Sequence, residues 1–160
     1  MKFPGNWTIR PLGAADAPAL AALHVDGFDE PWSVETFAEL LALPGAFGHL
    51  AVAQSAPAGF ALARVAADEA EILTLSVARG QRRRGLGAKL VGLACDRAAS
   101  EGAARMFLEV AADNFAALAL YRALGFAEAG RRPAYYGKPG HQRQDALLMS
   151  AALGAWPRAS

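Results

Sequence analysis

The sequence predicts an α/β domain (α+β) with a mixed central β-sheet flanked by helices. Strand-like segments joined by short turns dominate the first half of the chain, and the order strand, helix, strand, helix, strand follows. Of the 160 residues, 54% are hydrophobic and 19% are charged, which excludes a disordered chain and allows one domain with a real core. We expect this single domain to cover residues 1–153 and a loose tail to cover 154–160.

The first half of the chain is predicted to hold two helices and four strands. The apolar patterns indicate a strand at Trp7–Arg10, helices at Asp16–Phe28 and Val34–Leu43, and strands at Phe47–Gln54, Gly59–Val65 and Glu71–Ala78. Ser33 is a good N-cap for the second helix, and Pro44-Gly45 ends that helix. The turn-rich segment Ser55–Ala58 separates two of the strands.

The second half is predicted to alternate helices with strands. The pattern indicates a helix at Leu86–Glu101, a strand at Arg105–Val110, a short helix ending at Leu124, and strands at Phe126–Gly130 and Gln144–Ala152. Either Asp113 or Asn114 can cap the short helix, and Gly125 follows it as a stop. The strand at Arg105–Val110 is apolar enough to be buried on both faces.

The turn before the long helix is rich in glycine and arginine and suits a phosphate-bearing cofactor. The first amides of a helix have no intrahelical partners, and the helix dipole adds partial positive charge beside them. Gly85 and Gly87 would let a pyrophosphate approach the backbone closely. Arg82, Arg83 and Arg84 add full positive charges around it. The alternative is a helix start decorated by a solvated arginine run.

Two common phosphate loops do not fit this turn. Gly80 and Gly85 have the spacing of a Walker A loop, but Leu86 stands in place of its lysine and Gly87 in place of its serine or threonine. A dinucleotide fingerprint would need a third glycine where Leu90 stands. A nucleotide-hydrolysing P-loop is therefore not expected.

The turn does match another phosphate motif, because Arg82-Arg83-Arg84-Gly85-Leu86-Gly87 fits the pattern [Q/R]-x-x-G-x-[G/A]. In this motif the chain resembles the GNAT superfamily of acyl-CoA N-acyltransferases. It is similar more narrowly to the RimI family, whose members acetylate the N-terminal alanine of a small-subunit ribosomal protein. Four further segments between about residues 7 and 150 carry the likeness: Pro31-Trp32-Ser33 with Thr36-Phe37, Leu108-Glu109-Val110 with Asn114, Ala119-Leu120-Tyr121 with Leu124-Gly125-Phe126, and Arg131-Arg132 with Tyr135-Tyr136 and Asp145-Ala146.

The resemblance implies that acetyl-CoA binds in the splay between central strands of a GNAT-type sheet. Main-chain groups of one strand would hydrogen-bond the pantetheine arm, amides of the turn would hold the pyrophosphate, and an asparagine would contact the cofactor. The implied cofactor-binding residues are Leu75, Ser76, Val77, Arg82, Arg83, Arg84, Gly85, Leu86, Gly87, Ala88 and Asn114.

By the same resemblance, Glu109 is the general base and the Tyr121 hydroxyl protonates the departing thiolate. A carboxylate in an apolar strand is costly unless it is hydrogen-bonded or has a chemical task, so Glu109 could instead pair with a neighbouring arginine. Tyr121 could instead be a core aromatic residue. Trp32 and Tyr136 lie where a peptide N-terminus could dock, or they could be packing residues.

The implied activity is acetyl transfer to the N-terminal amine of a ribosomal protein by direct attack in a ternary complex. The alternatives are a relative that acetylates a small amine or a protein lysine, and a non-catalytic acyl-CoA-binding module. A module that had lost catalysis would be expected to lack Glu109 or Tyr121, and both are present.

Composition limits the other partners. The formal net charge of +1 provides no bulk field that would attract nucleic acid or an anionic membrane. The single cysteine, Cys95, fits a reducing compartment and a place in the core, and three scattered histidines lack metal-ligand spacing. We therefore expect a cytoplasmic protein that binds no metal, nucleic acid or membrane.

Overall fold

The computed structural model describes residues 2–3, 6–136, 143–154 and 156, with side chains for 6–135, 143–154 and 156. The described residues form an eight-stranded sheet and four α-helices, which confirms the mixed α/β class. The strands are β1 (Lys2–Phe3), β2 (Trp7–Pro11), β3 (Ala46–Ala53), β4 (Ala56–Ala66), β5 (Glu69–Val77), β6 (Arg105–Ala111), β7 (Ala127–Tyr136) and β8 (Gln144–Ala152). The helices are α1 (Ala17–Val25), α2 (Val34–Leu41), α3 (Leu86–Ser100) and α4 (Phe115–Ala123).

Caps at the helix ends follow the sequence closely. The Ser33 side chain accepts a hydrogen bond from the Thr36 N–H at the start of α2, and Asn114 accepts one from the Ala117 N–H at the start of α4. Gly125 follows α4 with φ +98°, the left-handed conformation that ends many helices. These short-range bonds explain why the predicted helix starts were right.

The sheet has the order β1-β2-β3-β4-β5-β6-β8-β7, and β5 with β6 is its parallel pair. The neighbouring strands on both sides of this pair are antiparallel. In this parallel pair, Glu69 lies opposite Arg105, Ala70 opposite Met106 and Glu71 opposite Phe107. No later residues of β5 and β6 are paired with each other. Beyond Glu71 the two strands separate, which leaves a gap in the middle of the sheet.

A β-bulge coincides with the start of this gap. The register of β4 with β5 passes from Ala63 opposite Ile72 to Leu62 opposite Thr74, so Leu73 is the extra residue. A bulge bends its strand and increases the local twist. The β5–β6 ladder ends at Glu71, two residues before Leu73, and this is the expected consequence of the bulge.

Helices cover both faces of the sheet, but unequally. On one face, α1 and α2 pack over the first strands through a cluster that includes Leu20, Phe37 and Phe60. On the other face, α3 packs on the central strands through residues that include Val91 and Ala94, with α4 contributing Leu118 and Tyr121. The α1 and α2 face is left open over β6, β7 and β8, and a groove occupies that surface.

Four details differ from the sequence-based expectation. The α1 helix ends at Val25 rather than Phe28. The turn between β3 and β4 is only two residues long, Gln54-Ser55, and β4 begins at Ala56 rather than Gly59. Both turn residues have positive φ, as a type I′ hairpin requires. Strand β7 continues to Tyr136 rather than ending at Gly130, by means of register shifts.

The fourth difference concerns β6, which is buried on one face and not on both. Met106, Leu108 and Val110 pack into the core with α3, whereas Phe107 and Glu109 alternate with them and line the open groove. An apolar strand of a parallel pair usually has helices on both faces. Here the second face is bare because α1 and α2 lie over the other half of the sheet.

Cys95 lies in the core on α3 with no exposed surface, as expected from the sequence. Burial, with a smaller effect from the charge of Asp96, raises the pKa of its thiol to about 12. A thiol in that state is a small apolar core group rather than a nucleophile.

Candidate active site

The N-terminus of α3 has the geometry of an anion-binding cradle. Gly85 adopts φ +83°, and apart from its two chain neighbours no described residue has an atom within 4 Å of the position that a Cβ would take there. The first helical hydrogen bond runs from the Lys89 N–H to the Gly85 C=O at 3.1 Å, so the amides from Gly85 to Ala88 precede the intrahelical ladder. Arg83 also has positive φ, at 64°, so the turn is held in an uncommon conformation just before these amides.

The cradle is closely packed against α4. A Cβ at Gly87 would lie 3.2 Å from Leu120 Cδ2 and 4.0 Å from Leu75 Cδ2, so α3, α4 and β5 meet at this glycine. Arg82, Arg83 and Arg84 are exposed around the turn, as are Gly85 and Lys89. An anion at the cradle would therefore meet backbone amides on one side and flexible cations on the other.

The free edge of β5 faces the gap. The Ala78 N–H donates to the Ala58 C=O at 2.8 Å, and antiparallel hydrogen bonds alternate from that pair along the strands. This alternation directs the main-chain groups of Ser76 toward β4 and those of Leu75 and Val77 toward the gap. The Arg82 Nε donates to the Val77 C=O at 3.0 Å, which agrees with that direction.

The Ser76 side chain has a separate structural task. Its hydroxyl donates to the Leu23 C=O at 3.0 Å and ties β5 to the last turn of α1. Gly27, just beyond α1, lies where a Cβ would be 3.5 Å from Ser76 Oγ and 3.7 Å from Arg82 Nη2. The loop between α1 and α2 therefore borders the same end of β5.

On the sheet face opposite α3, a groove of roughly 520 Å³ contains Glu109. It is lined by Arg64, Ala66, Glu69, Ala70, Glu71, Phe107, Glu109, Arg132 and Leu148. Glu109 lies two residues beyond the last β5–β6 pair, at the point where the strands separate. Its carboxylate oxygen Oε1 is 2.8 Å from Arg132 Nη2, and their side chains are 22% and 60% exposed, respectively. The ion pair considered as the alternative role of Glu109 is thus present.

The groove holds a second carboxylate close to Glu109. Partial burial, and next the negative charge of Glu109, raise the pKa of Glu71, while Arg132 and Arg64 oppose that rise. Glu71 projects from the last paired residue of β5 onto the same face as Glu109. With Glu69, three carboxylates and two guanidiniums therefore line this groove.

A bulge in β7 places Arg132 at the groove. Between Arg132 and Tyr136 the register with β8 shifts, and Ala134 adopts φ +53°. Asp145 on β8 fastens this irregular stretch, since its carboxylate accepts from the Ala134 N–H at 2.9 Å and from Arg131 Nη1 at 2.7 Å. The hydrogen bond from the Ala134 amide, and to a smaller extent that from Arg131, holds the pKa of Asp145 below its usual range. Such bulges commonly redirect a side chain.

Tyr121 and Asn114 lie on the α3 side of the sheet. Tyr121 is 7% exposed, packs in the core cluster of that face and contacts the Phe126 ring at 5.8 Å between centroids. Asn114 is exposed and uses its side-chain oxygen to cap α4. The sheet therefore lies between Tyr121 and Glu109, and Glu109 is the one of the two that lies where β5 and β6 separate.

Trp32 packs against His24 rather than standing free in its loop. The two rings stack with centroids 5.0 Å apart, and the Trp32 N–H donates to His24 Nδ1 at 2.9 Å. Because Nδ1 accepts, Nε2 carries the proton of the neutral ring and donates to Thr74 Oγ1 at 3.0 Å. Burial lowers the pKa of His24 to about 4. Trp32 is thereby connected to β5 through one buried histidine.

The backbone of Tyr136 ends β7 and pairs with Gln144, and its side chain lies outside the described residues, as does all of His141. In the parts of the chain that the structure describes, no group of three or more His, Cys, Asp or Glu residues could hold a metal ion. No helix among the described residues is long and apolar enough to span a membrane.

The structure thus gathers the turn residues, Leu75 and Val77 on one side of the gap and Glu109 on the other. Sequence reasoning did not single out three residues of this region: Arg132 as the partner of Glu109, Glu71 as a second carboxylate, and His24 as a buried link. Arg132 was part of a matching segment, and His24 follows Leu20 by four residues on the apolar side of α1, which is a helical signal. The position of Glu71 beside Glu109 depends on strand pairing, which has no local signal.

Comparison with known proteins gives the family. The model of the acetyltransferase (GNAT) family matches residues 17–126. The chain is 35% identical over 147 residues to the [ribosomal protein bS18]-alanine N-acetyltransferase of Escherichia coli (strain K12), covering 91% of this chain and 97% of that protein. It is 37% identical over 137 residues to the N-alpha-acetyltransferase RimI of Mycobacterium tuberculosis, covering 81% and 84% of the two chains.

A solved structure agrees with these sequence matches. The crystal structure of the ribosomal-protein-S18-alanine N-acetyltransferase from Escherichia coli superimposes with a TM-score of 0.85 at 34% identity, covering 92% of this chain and 94% of that one. The family match spans the cradle, the gap and Glu109 as well as α4, so it covers the chemistry-bearing part of the fold. This chain therefore belongs to the GNAT family, and it is an N-acetyltransferase that uses acetyl-CoA.

Proposed function

We propose that the enzyme transfers the acetyl group of acetyl-CoA to the N-terminal alanine of a ribosomal protein of the bS18 class. One observation carries the proposal: Glu109 lies in an open groove where β5 and β6 separate, on the sheet face opposite the anion cradle. A peptide end could reach a base there while the cofactor enters from the other face. The names of the relatives that match over most of the chain support the choice of acceptor.

The residues of the cradle and of β5 fit acetyl-CoA. The open space at Gly85, the amides from Gly85 to Ala88 and the arginines of the turn suit the pyrophosphate. The gap-facing main-chain groups of Leu75 and Val77 suit the amides of the pantetheine arm, with Ser76 between them holding β5 to α1. Asn114 stands at the start of α4 on the same face. When bound, acetyl-CoA supplies the activated acetyl thioester.

Glu109 is the proposed general base. The acceptor arrives as an ammonium, since an N-terminal amine has a pKa of about 8, and only the neutral amine can act as a nucleophile. Glu109 Oε takes one proton from it, directly or through a water in the groove. A position 22% exposed at the mouth of the gap lets the carboxylate meet both a substrate amine and solvent.

Tyr121 is the proposed acid. It lies on the α3 side of the sheet, in the helix whose Leu120 packs against Gly87 of the cradle. From there its hydroxyl would hold the proton that the departing thiolate needs. Replacing Tyr121 with phenylalanine keeps the ring packed on Phe126 and is expected to lower kcat by about 10²-fold with little change in acetyl-CoA affinity.

Trp32 and Tyr136 are proposed to border the peptide site, Trp32 from the α1–α2 side and Tyr136 from the end of β7. Trp32 would act mainly by shaping the loop, because its ring is committed to His24. The remaining parts of the proposal are a single domain over residues 1–153, a C-terminal tail over 154–160, a cytoplasmic location where ribosomal proteins are made, and no metal, nucleic-acid or membrane ligand.

The test compares two synthetic peptides as acceptors of acetyl from acetyl-CoA. One has the N-terminal sequence of bS18 beginning with a free alanine, and the other is N-terminally blocked and carries an internal lysine. We expect turnover with the free N-terminus alone, and we expect Glu109→Gln to lower kcat by about 10²- to 10⁴-fold while acetyl-CoA still binds. Transfer to the lysine peptide, or to a small amine such as a polyamine in preference to both peptides, would reject the proposed acceptor.

A further inference from the structure

Arg132 stands where the substrate of the proposed reaction would have to bind. Its Nη2 is 2.8 Å from Glu109 Oε1, so a cation already occupies the carboxylate that a general base must offer to an incoming ammonium. The carboxylate has a second oxygen, but two cations on one carboxylate repel each other, and Glu109 loses its negative charge when it takes the proton. The approach of the ammonium therefore opposes the ion pair of Arg132 with Glu109, and proton transfer to Glu109 weakens that pair further.

The surroundings of Arg132 keep the free-energy cost of leaving Glu109 small. Its side chain is 60% exposed, and partly exposed ion pairs contribute little net stability. On its outer side the guanidinium carbon lies 5.1 Å from the centroid of the Tyr135 ring, which is itself half exposed. A guanidinium that leaves Glu109 thus retains a favourable contact with an aromatic face.

The backbone is built to present this side chain. The bulge that ends at Tyr136 is fastened by Asp145, which binds the Ala134 amide and the Arg131 guanidinium. Arg131 and Arg132 are adjacent but point to different partners, one to Asp145 and the other to Glu109. Arg131 helps to hold the conformation of β7 through Asp145, and Arg132 contacts the proposed base.

We propose that Arg132 is a positioning residue that acts through Glu109 by exchange of cations. Its guanidinium pairs with the carboxylate between turnovers, yields it to the α-ammonium of the substrate, and returns to it after transfer. The inference rests on the proposed function, in which Glu109 is the base. The proton passes from the α-ammonium to Glu109 Oε, leaving a neutral amine, and then from the carboxyl to water in the groove as Arg132 returns.

Four other charged or titratable side chains decide the pH behaviour of this site. Arg64 from β4, Glu69 and Glu71 from β5, and Arg132 from β7 line the groove with Glu109, while β8 contributes the apolar Leu148. Removal of Arg132 leaves three carboxylates against one arginine. The net charge of the groove then becomes more negative, so the activity of the variant should depend on pH differently from that of the wild type.

The first experiment is the pH profile of kcat/KM for the alanine peptide with wild type, Arg132→Gln and Arg132→Lys. We expect kcat/KM of Arg132→Gln to be about three- to tenfold lower than that of wild type at acid pH and to recover at alkaline pH, because one positive charge beside the carboxylate is lost. Arg132→Lys keeps the positive charge and should stay near the wild-type profile. Arg122→Gln on α4 removes an exposed arginine across the sheet and serves as the matched control.

The second experiment follows the groups directly by NMR and needs no turnover. The signal of the side-chain carboxyl carbon of Glu109 should change with pH differently in Arg132→Gln and in wild type. The Nε–Hε signal of Arg132 should shift on addition of the free-alanine peptide and stay unchanged with the blocked peptide.

The outcomes separate the two ideas. If wild type acetylates neither the peptide nor any N-terminal amine, the proposed function fails, and the Glu109 titration still judges whether Arg132 controls the carboxylate. Coincident profiles and titrations of wild type and Arg132→Gln overturn the inference. Equal losses at every pH for Arg132→Gln and Arg132→Lys would also overturn it, because that pattern indicates a role in the fold.

Discussion

At the scale of single residues, His24 is the least exposed histidine among the described residues, with 1% of its surface exposed. Both of its ring nitrogens form hydrogen bonds: Nδ1 accepts from the backbone N–H of Trp32, and Nε2 donates to the hydroxyl of Thr74 on β5. A charged ring could not accept from Trp32, and burial disfavours the charge further. The neutral ring therefore fixes the relation of α1, the following loop and β5.

The protonation of His24 predicts a loss of stability in acid. The pKa is about 4 in the folded protein and about 6.5 in the unfolded chain, so the unfolded chain binds the extra proton and gains stability as pH falls below 6.5. This histidine should lower the free energy of unfolding by about 2 kcal/mol between pH 7.5 and pH 5.

Urea unfolding of wild type and His24→Asn across that pH range provides the measurement. The asparagine amide can replace both hydrogen bonds in part but does not titrate. The difference in unfolding free energy between the two proteins should therefore shrink as pH falls from 7.5 to 5. A difference that stays constant would contradict the assignment of this pH dependence to His24.

At the scale of elements, the two glycines that begin α3 have different tasks. Gly85 is left-handed with open space around its missing side chain, whereas Gly87 is a helical residue whose missing side chain faces the end of Leu120. An alanine at Gly85 must adopt a conformation that costs roughly 1–2 kcal/mol, or the turn must rearrange. An alanine at Gly87 requires only a small movement of a flexible leucine.

We therefore predict unequal effects on cofactor binding. Gly85→Ala should raise the Kd for acetyl-CoA about tenfold, because the amides of the cradle leave their present orientation. Gly87→Ala should change that Kd less than about threefold. Calorimetric titration of both variants, with unfolding curves to show that each is folded, makes the comparison. Equal weakening by the two substitutions would show that the left-handed conformation is not what binding requires.

Elements governed by neighbours in sequence were predictable. Ser33, Asn114 and Gly125 act within three or four residues, so the pattern of caps located the helix ends. The bulge of β7 was missed because its cause, Asp145, lies on another strand. The cradle was predictable for the same reason as the caps, since its motif is continuous along the chain.

At the scale of the whole molecule, the organising feature is the short parallel seam between β5 and β6. The two halves of the sheet share three residue pairs there and then diverge. The sequence could predict that Glu109 was unusual in its strand, but its contacts with Arg132 and its closeness to Glu71 arise from the pairing of four strands. Such contacts join residues far apart in sequence, and no local pattern encodes them.

A ligand that completes the gap should change amide exchange along β5 in an alternating way. On saturation with acetyl-CoA, exchange at Leu75 and Val77 should slow, because their main-chain groups face the gap, and exchange at Ser76 should change little, because its groups face β4. Residue-resolved hydrogen exchange by NMR measures this. Uniform protection of all three amides would indicate general stiffening rather than pairing of the ligand with the strand edge.

The core position of the single cysteine makes one practical assay straightforward. Each acetyl transfer liberates the thiol of coenzyme A, which a colour-forming disulfide reagent detects continuously. Cys95 has no exposed surface, and its thiol stays protonated to a pKa of about 12, so the native enzyme contributes no competing colour. Turnover can therefore be recorded at high enzyme concentration without a cysteine-free variant, and a slow rise of colour in the absence of substrate would report unfolding.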